Sequence, residues 1–443
     1  MTASSFFDIF FGNIVMFMLS IILCSLVLYV CIRSRTIAGY LDPLHFYWTF
    51  TFGSAYGIVL GLYALGYITD FLFLYVCLCA VLLLFSLNFF SRISLLWPRN
   101  ALMVLAIPKG SGRIEFYIVL SLYVCLLGAI LYFVGAGLFA ESNRFEQNRG
   151  FGLYVRIADA FRLFVFAYIS ILVARSVRSR GVTVNSLVLL SILLFLIIIG
   201  SVVNGSKFAF LEALYACFVG LSLYFKKPKF KLRHILVVCI SALFFALLVL
   251  SVNLKSNDVD TEGEALYMKG SPVVIERLVL RVLGNADKYY LGLPNDVIDK
   301  IQTDNLVVRF ASPIVGITRL SHALGYPVND FNVGRQILLY YNPGQEVAGG
   351  PTSHFDLFAY KYFGVSLSFV WVIATGFLLS IILAMGKSST GNIYYCAVVA
   401  TLWLRTLPVL LEPPIGFAYM LDIIVLFLFI KLVGLLIPRR NMN

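Results

Sequence analysis

The amino-acid sequence predicts an all-α polytopic membrane protein with about eleven transmembrane helices. Hydrophobic residues make up 60% of the 443 residues and charged residues only 13%, whereas ordinary soluble domains carry about 25% charged residues. The apolar runs are long and continuous, and they do not alternate with polar residues as barrel strands would. This composition excludes a soluble cytoplasmic enzyme, because no soluble core could bury so much apolar surface.

Eleven segments are mostly apolar over the roughly 20 residues that are needed to cross a hydrocarbon core of about 30 Å. They cover residues 10–32, 46–68, 71–91, 114–137, 157–175, 183–203, 207–225, 235–254, 364–385, 392–411 and 417–437. All eight cysteines fall inside these segments. Cysteines in such runs behave as small hydrophobic side chains, so we expect no disulfide framework.

Basic residues mark one face of the membrane. Alternate connections carry Lys or Arg, from Arg33 and Arg35 in the first to Arg439 and Arg440 at the end, whereas the short intervening connections carry neither. By the positive-inside rule the basic face is cytoplasmic, which places the N-terminus outside and the C-terminus inside. The same distribution accounts for the net charge of +12 without a nucleic-acid partner.

Two connections on the outer face are long, residues 140–156 and 255–363, and the second has a near-soluble composition. The chain therefore divides into helices one to eight (1–254), one large helical outer loop (255–363) and helices nine to eleven (364–443). In the loop, Ser271-Pro272 and the apolar run to Leu283 predict a helix on the membrane surface. Arg277 and Arg281 share its polar side.

Ionisable residues inside the predicted spans gather at one level, near the outer face: Asp159, Arg162, Lys207, Glu212, Arg405 and Asp422. Each charge near the bilayer centre costs about 2.5–3.5 kcal/mol. One interpretation is structural pairing, of Asp159 with Arg162 or of Arg405 with Glu412. Their shared level under a large loop favours a polar cavity that opens outward. The inner half is nearly uncharged, which argues against a proton or ion relay.

Cations dominate the outer segments and the span ends beneath them. They are Arg144, Arg149, Arg156, Lys207, Arg277, Arg281, Arg309, Arg319 and Arg335. Guanidinium groups match phosphate oxygens bidentately, so this set predicts binding of a phosphate-bearing lipid head group. General attraction to anionic membrane lipids, without chemistry, is the alternative.

The sharpest local feature is the sequence GGPTSHFD at residues 349–356. Ser353 and Asp356 have capping-box spacing, which predicts a helix that starts here and runs toward Gly364. His354 would then lie in the first turn, where the helix dipole keeps an imidazole neutral and free N–H groups can hold an anion. His354 is the candidate general base. A loop histidine that is merely hydrogen-bonded is the alternative, and His322 is a rival base.

An acidic stretch, Asp258-Val-Asp260 with Glu262 and Glu264, has oxygen ligands that a divalent cation could use. A lone motif of this kind is a weak signal, and a solvated linker is the better explanation. We therefore expect no metal and no cofactor, and we assign charge neutralisation at the leaving group to arginines.

Several features occur together in this chain: the number of spans, the large late outer loop, Arg144 to Gly150 (RFEQNRG), Asn204 to Lys207 (NGSK) opening a span, and His354 with Gly364 ten residues later. In these features the chain resembles the bacterial O-antigen polymerase family and the related O-antigen ligases. The resemblance implies a metal-independent glycosyltransferase of the GT-C type in the bacterial inner membrane, with its active site facing the periplasm.

Such a polymerase transfers a growing glycan from undecaprenyl pyrophosphate onto a lipid-linked repeat unit. The resemblance implies lipid-linked oligosaccharide donor and acceptor, membrane lipids and a chain-length regulator as partners. Related ligases carry a span-opening arginine, a loop arginine and a histidine; Lys207 matches the first only as a cation, Arg281 or Arg309 could fill the second, and His354 matches the third. Arg144, Arg149, Arg162, Arg277, Arg335 and Arg405 complete the candidate pyrophosphate-binding set.

Energy for the transfer must be stored in the donor, because nucleoside triphosphates are not available outside the cytoplasm. We expect an inverting attack of an acceptor sugar hydroxyl on C1, with His354 taking the proton and Arg281 and Arg309 stabilising the departing pyrophosphate. A ligase that transfers glycan to lipid A core is the alternative. A flippase or transporter of lipid-linked oligosaccharide is the alternative of another class.

Overall fold

The computed structural model describes most of the chain. The residues that it describes are 1–93, 100, 102–104, 106, 111–137, 150–205, 208–226, 236–237, 240–241, 243–244, 247–248, 250–251, 266–268, 270–345, 349–388 and 391–436. The predicted site residues Arg144, Arg149 and Lys207 lie outside these residues, as does the acidic stretch Asp258 to Glu264.

The described residues form a helical protein. Its α-helices are α1 (Ala3–Gly12), α2 (Ile14–Ile32), α3 (Gly53–Ala64), α4 (Asp70–Phe90), α5 (Arg113–Phe133), α6 (Gly152–Arg180), α7 (Val184–Asn204), α8 (Ala209–Phe225), α9 (Val273–Leu283), α10 (Asp287–Gly292), α11 (Val297–Lys300), α12 (Leu306–Val315), α13 (Ile317–Leu324), α14 (Val333–Tyr341), α15 (Phe355–Lys387), α16 (Ile393–Thr406) and α17 (Pro413–Leu436). A π-helical segment, His45–Phe52, runs directly into α3.

Eight helical segments of the described chain are long and apolar enough to cross a membrane: α2, α4, α5, α6, α7, α15, Ile393–Leu410 and α17. The predicted span 46–68 is the π-helical segment with α3, the span 207–225 is the 17-residue α8, and 235–254 lies largely outside the described residues. The outer face of α2 leaves Val15, Leu19 and Leu23 more than half exposed. Contiguous apolar surface of this kind fits lipid contact, so the protein is membrane-embedded.

The centre of the protein is α6, which packs against α5, α7, α8 and α16. Its residues from Ala160 to Ile171 are all buried, which is unusual for a membrane helix and explains how Arg162 can lie inside the bundle rather than against lipid. Helix α16 is buried along its whole length. These two helices carry the polar residues of the outer half to the middle of the bundle.

Glycines let α2 and α3 approach closely. Gly53, Gly57 and Gly61 repeat every fourth residue along one face of α3, and a Cβ built at Gly57 would lie 2.4 Å from Ile21 Cα. Small residues at this spacing permit backbone contact between membrane helices. The close contact fixes the position of Tyr56, the neighbour of Gly57, which contributes to the site.

The outer loop folds as a series of short helices over one end of the bundle. A helix is confirmed at the predicted position as α9, which begins at Val273 and leaves Arg277 and Arg281 exposed; its location on the membrane surface stays a prediction. Helix α10 packs against α3 and α14, and α12 packs against α17. Residues 287–298 therefore lie directly on the membrane helices, which brings Lys288 and Tyr289 to the start of α15.

Helix α15 is interrupted where the sequence predicts a boundary. Gly364 has φ +65° and ψ 178° inside the helix, a backbone conformation that only glycine adopts without strain. The residues before it form a separate outer segment, and those after it continue as the span to Lys387. The predicted capping box is wrong, however, because Ser353 and Asp356 do not cap the helix.

Candidate functional site

His354 is held by the backbone at the start of α15. It is the N-cap residue, with φ +51°, the left-handed region that costs energy for residues other than glycine and asparagine. Its N–H donates to Leu411 O at 2.8 Å. The strained position is fixed from outside the helix, as is common at functional positions.

Glu412 replaces the predicted capping box as the anchor of this turn. Its Oε2 accepts from Ser353 N at 2.8 Å and from Ser353 Oγ at 3.0 Å, and its Oε1 accepts from Asn332 Nδ2 at 2.8 Å. Ser353 thus faces the loop before α17 rather than the first turn of α15. Burial raises the pKa of Glu412, and the three hydrogen bonds oppose that effect. The expected pairing of Glu412 with Arg405 is not among its contacts.

The His354 side chain is fully buried and both its ring nitrogens have partners. Lys288 Nζ lies 3.0 Å from Nε2, and Tyr289 Oη lies 3.1 Å from Nδ1. A lysine ammonium can only donate, so Nε2 accepts, and the remaining ring proton on Nδ1 points to Tyr289. Burial, and secondly the charge of Lys288, lower the pKa of His354 well below its usual value of 6.5. The imidazole is neutral, as predicted from the sequence, but burial rather than the helix dipole is the main cause.

The chain of polar contacts continues to Asp356. Tyr289 Oη lies 2.7 Å from Oδ2 and 2.9 Å from Oδ1 of Asp356, and Tyr56 Oη lies 3.2 Å from Oδ2. Asp356 is fully buried. Lys288, His354, Tyr289, Asp356 and Tyr56 therefore form one connected buried network, which we call the His354 network.

Lys288 is the most unusual member of the His354 network. Its side chain is 2% exposed, and Nζ also donates to Asn285 O at 2.6 Å and lies 3.1 Å from Asp287 Oδ1. Sequence reasoning missed Lys288, Tyr289 and Tyr56. The one signal available was a charged pair, Asp287-Lys288, between apolar residues of the outer loop.

Five of the six predicted intramembrane charges form a second group around Arg162 and Arg405, and the sixth, Lys207, lies outside the described residues. Arg162 Nη2 lies 2.9 Å from Glu212 Oε2 and 3.3 Å from Asp159 Oδ1, so the predicted pairing of Asp159 with Arg162 is confirmed. Asn204 Nδ2 donates to both oxygens of Asp159 at 2.9 Å. Helices α6, α7 and α8 each contribute to this part of the group.

The other part of the group joins α6, α16 and α17. Arg156 Nε lies 2.6 Å from Asp422 Oδ2, and Arg405 Nη2 donates to Arg156 O at 3.3 Å. The Arg405 guanidinium carbon lies 3.6 Å from the centre of the Tyr419 ring, a cation–π contact. The charged groups near Tyr419 are Arg405, Asp159, Glu212 and Arg156. Tyr419 therefore lies between the Arg162 part and the Arg405 part of the group.

The positive and negative charges in this group are equal in number, but some of its hydrogen-bond donors have no acceptor among the described residues. Three guanidinium groups face three carboxylates: Arg156, Arg162 and Arg405 against Asp159, Glu212 and Asp422. Within the described part of the chain, Nε of Arg162 and Nε of Arg405 have no hydrogen-bond partner although both side chains are buried. Unmade hydrogen bonds of buried guanidinium groups are costly.

The space beside Arg162 is small. A cavity of about 20 Å³ lies between Arg162, Asp159, Tyr123 and Gly200, and such a volume holds about one water molecule. The described side chains around Arg162 therefore pack closely, and the predicted outward cavity stays a prediction.

Two of the predicted loop arginines, Arg309 and Arg335, form ion pairs with acids of the loop and belong to neither polar group described above. Arg309 Nε donates to Asp304 Oδ1 at 3.1 Å, and Arg335 Nε to Asp330 Oδ1 at 3.2 Å. In each case the acid lies five residues earlier in the chain. Both arginines also donate to backbone carbonyls, Val328 O and Gly349 O. These contacts stabilise the loop, and they occupy the guanidinium nitrogens of both arginines that were predicted to bind phosphate.

Arg277 and Arg281 are exposed on α9 and make no ion pair within the described residues. Their assignment to the leaving group stays a prediction. In the same described part of the chain, no group of three His, Cys, Asp or Glu side chains is placed to hold a metal ion.

Comparison of the chain with protein-family models, curated proteins and solved structures finds no match.

Proposed function

We propose that this protein is a glycosyltransferase that polymerises repeat units carried on undecaprenyl pyrophosphate. The observation that carries the proposal is the His354 network, a neutral buried histidine with a buried lysine on its Nε2. It lies at the same end of the bundle as guanidinium groups whose Nε donors have no partner among the described residues. A proton acceptor and a cluster of cations are what glycosyl transfer from a lipid pyrophosphate requires.

The proposal places this end on the periplasmic side of a bacterial inner membrane. The opposite end of α15, at Lys387, belongs to the face with the basic connections, and the positive-inside rule assigns that face to the cytoplasm. In this arrangement eleven helices span the membrane in a GT-C-like fold, and the outer loop covers the donor site. The reaction needs no metal, because side-chain cations neutralise the pyrophosphate.

Lys288 controls the base in this proposal. While the ammonium group donates to Nε2, the lone pair of His354 is not available. The pyrophosphate of the donor attracts the ammonium group away from His354, because a doubly charged partner binds it more strongly than a neutral ring does. The base is thereby released only when the donor is bound.

The chemical step then balances as follows. An acceptor sugar hydroxyl attacks C1 of the donor sugar, and its proton passes to His354 Nε2. A C–O bond to the acceptor forms while the bond from C1 to the pyrophosphate oxygen breaks, with inversion at C1. Lys288 and the buried guanidinium groups take up the negative charge of the departing undecaprenyl pyrophosphate.

Of the predicted cations, Arg405 and Arg162 are the best candidates for the pyrophosphate. Each is buried, and each keeps an Nε donor without a partner in the described chain. Arg309 and Arg335 are occupied by Asp304 and Asp330. Arg162 is also paired, with Glu212 and Asp159, whereas Arg405 makes no ion pair within the described residues. We therefore assign Arg309 and Arg335 to loop structure, Arg405 to donor binding, and Arg162 to a supporting role through its unpartnered Nε.

The test uses the full-length protein in nanodiscs with lipid-linked oligosaccharide extracted from membranes of the source cell. His354→Asn keeps a residue that accepts positive φ but removes the base, so we expect turnover to fall about 10²- to 10⁴-fold. His322→Asn, on the exposed α13, is the matched comparison and should keep wild-type turnover.

Each outcome has a distinct meaning. Products that lengthen by whole repeats support the polymerase, a single transfer to added lipid A core supports the ligase, and movement of the lipid between leaflets without new bonds supports a transporter. Loss of activity in His322→Asn with normal activity in His354→Asn would remove the His354 network from the reaction. Faster turnover in Lys288→Met would show that Lys288 only blocks the base.

A further inference from the structure

A second polar site lies at the opposite end of the bundle from the His354 network. A cavity of about 300 Å³ opens beside the C-terminal end of α15, and its lining includes Arg35, Lys226, Lys387, Ser34, Ser91 and Ser222. The unbroken part of α15, from Gly364 to Lys387, separates it from the end of the bundle that holds His354 by 23 residues, roughly 35 Å at 1.5 Å per residue. The glycosyltransferase proposal does not use this cavity.

The charge of the cavity has one sign. The described residues of its lining include three cationic side chains, and no carboxylate is among them. Arg35 Nε donates to Asn88 Oδ1 at 2.8 Å, and Lys387 Nζ donates to Ser91 O at 2.9 Å. Burial, and then repulsion from Arg92, lower the pKa of Arg35. The amide oxygen that Arg35 contacts is neutral, so this contact does not balance the positive charge of Arg35.

Ser222 gives the second, independent observation. Its side chain is 4% exposed, it lines the cavity, and its Oγ has no hydrogen-bond partner in the described residues. A buried hydroxyl without a partner costs roughly 1–3 kcal/mol when nothing compensates it. A ligand with acceptor oxygens would satisfy the hydroxyl and the cations together.

The walls of the cavity are preorganised. Asp42 is buried and accepts hydrogen bonds from Ile37 N at 2.6 Å and Ala38 N at 2.9 Å, which fixes the connection after α2. Gly386 lets this connection approach α15, since a Cβ there would lie 3.3 Å from both Ile37 Cδ1 and Leu223 Cδ2. The cations are therefore held on packed backbone rather than on a loose surface.

We propose that this cavity binds a phosphate group, with Arg35, Lys226 and Lys387 neutralising its charge and Ser222 donating to one of its oxygens. The phosphate could belong to an anionic phospholipid of the adjacent leaflet or to a soluble phosphate compound. Arginine and lysine together with hydroxyls suit phosphate oxygens, and basic pockets between membrane helices suit lipid head groups.

The test measures binding to the full-length protein in detergent by native mass spectrometry and by thermal unfolding. The probes are phosphatidylglycerol, phosphatidylcholine and inorganic phosphate. We expect phosphatidylglycerol to bind, with an affinity that falls roughly tenfold or more in Arg35→Gln and in Lys387→Gln. Arg180→Gln, an exposed cation at the same end of the bundle and outside the cavity, should bind as wild type does.

Ser222→Ala separates a binding role from a structural one. Loss of an unpartnered buried hydroxyl should leave the unliganded protein as stable as wild type or more stable, while binding of phosphatidylglycerol weakens. Equal protection by inorganic phosphate and by phosphatidylglycerol would identify a soluble phosphate as the ligand class. Wild-type binding in all three cavity variants, or equal binding of phosphatidylcholine and phosphatidylglycerol, would overturn the proposal.

Discussion

Replacing Gly57 by alanine should destabilise the protein and disturb the His354 network, although the substitution adds a single methyl group. Gly57 is the middle glycine of the Gly53, Gly57, Gly61 series, at which α3 contacts α2. At the neighbouring position, Tyr56 Oη lies 3.2 Å from Asp356 Oδ2. A change in the distance between α2 and α3 therefore shifts Tyr56 and alters its hydrogen bond to Asp356 in the His354 network.

The magnitude follows from the contact distance. A Cβ at Gly57 would lie 2.4 Å from Ile21 Cα and 2.6 Å from Ile21 N, whereas carbon atoms in contact prefer about 3.5–4.0 Å. The helices must separate by about 1 Å, because backbone atoms cannot turn away as a side chain can. Overpacking of this kind costs about 1–3 kcal/mol, and we expect the upper part of that range.

Gly128 provides the matched control. It also lies within a membrane helix, α5, but a Cβ built there meets nothing within 4 Å. Gly128→Ala should therefore gain about 0.5–1 kcal/mol from helix propensity. Unfolding by sodium dodecyl sulfate in mixed micelles, followed by circular dichroism, measures both variants. A free energy of unfolding for Gly57→Ala equal to or above that of Gly128→Ala would refute the close packing of α2 on α3.

Three further outcomes are expected. Glu412→Gln should lower the free energy of unfolding by about 2–3 kcal/mol in the same assay, because an amide whose oxygen accepts from Ser353 turns its NH2 group toward the Asn332 Nδ2 donor. Burial opposes ionisation of Glu276, but three backbone N–H groups of residues 266–268 outweigh it and lower its pKa. Its stabilising contribution is therefore complete above its usual pKa of 4.5 and is lost as the pH falls through the lowered value. Hydrogen exchange at residues 266–268 should accelerate on acidification, and Glu276→Gln should remove that dependence. Arg162→Met should cost about 3–5 kcal/mol, since it leaves its two carboxylate partners uncompensated, and neutralising both partners as well should recover most of the loss.

Pairing between distant residues limits what the sequence can predict of the site. The sequence singled out His354 and Gly364, and the structure places an unusual backbone conformation at both. It could not identify Lys288, which is 66 residues from His354, or Tyr56, which is 300 residues from Asp356. Such contacts depend on how the outer loop packs on α3 and α15, and no local pattern encodes that packing.

For the loop arginines, the sequence predicted a ligand-binding role, but ion pairs with nearby acids in the chain occupy them instead. Arg309 and Arg335 have the residue type and the location of phosphate ligands, yet Asp304 and Asp330 lie close enough in the chain to form ion pairs with them. An arginine in a sequence carries no sign of which oxygen it will meet. Folding decides between an internal carboxylate and an external phosphate.

By itself the sequence determined that the chain is helical and embedded in a membrane, because an apolar run of membrane-spanning length is a local property that no packing can change. It also determined that charges concentrate near one end of several spans. Only the tertiary structure decided which of those charges neutralise each other, that Nε of Arg405 and of Arg162 finds no partner in the described part of the chain, and that a lysine lies on the buried His354. Partner choice among buried polar groups depends on distances of a few ångströms between helices, and those distances are fixed by packing of the whole bundle.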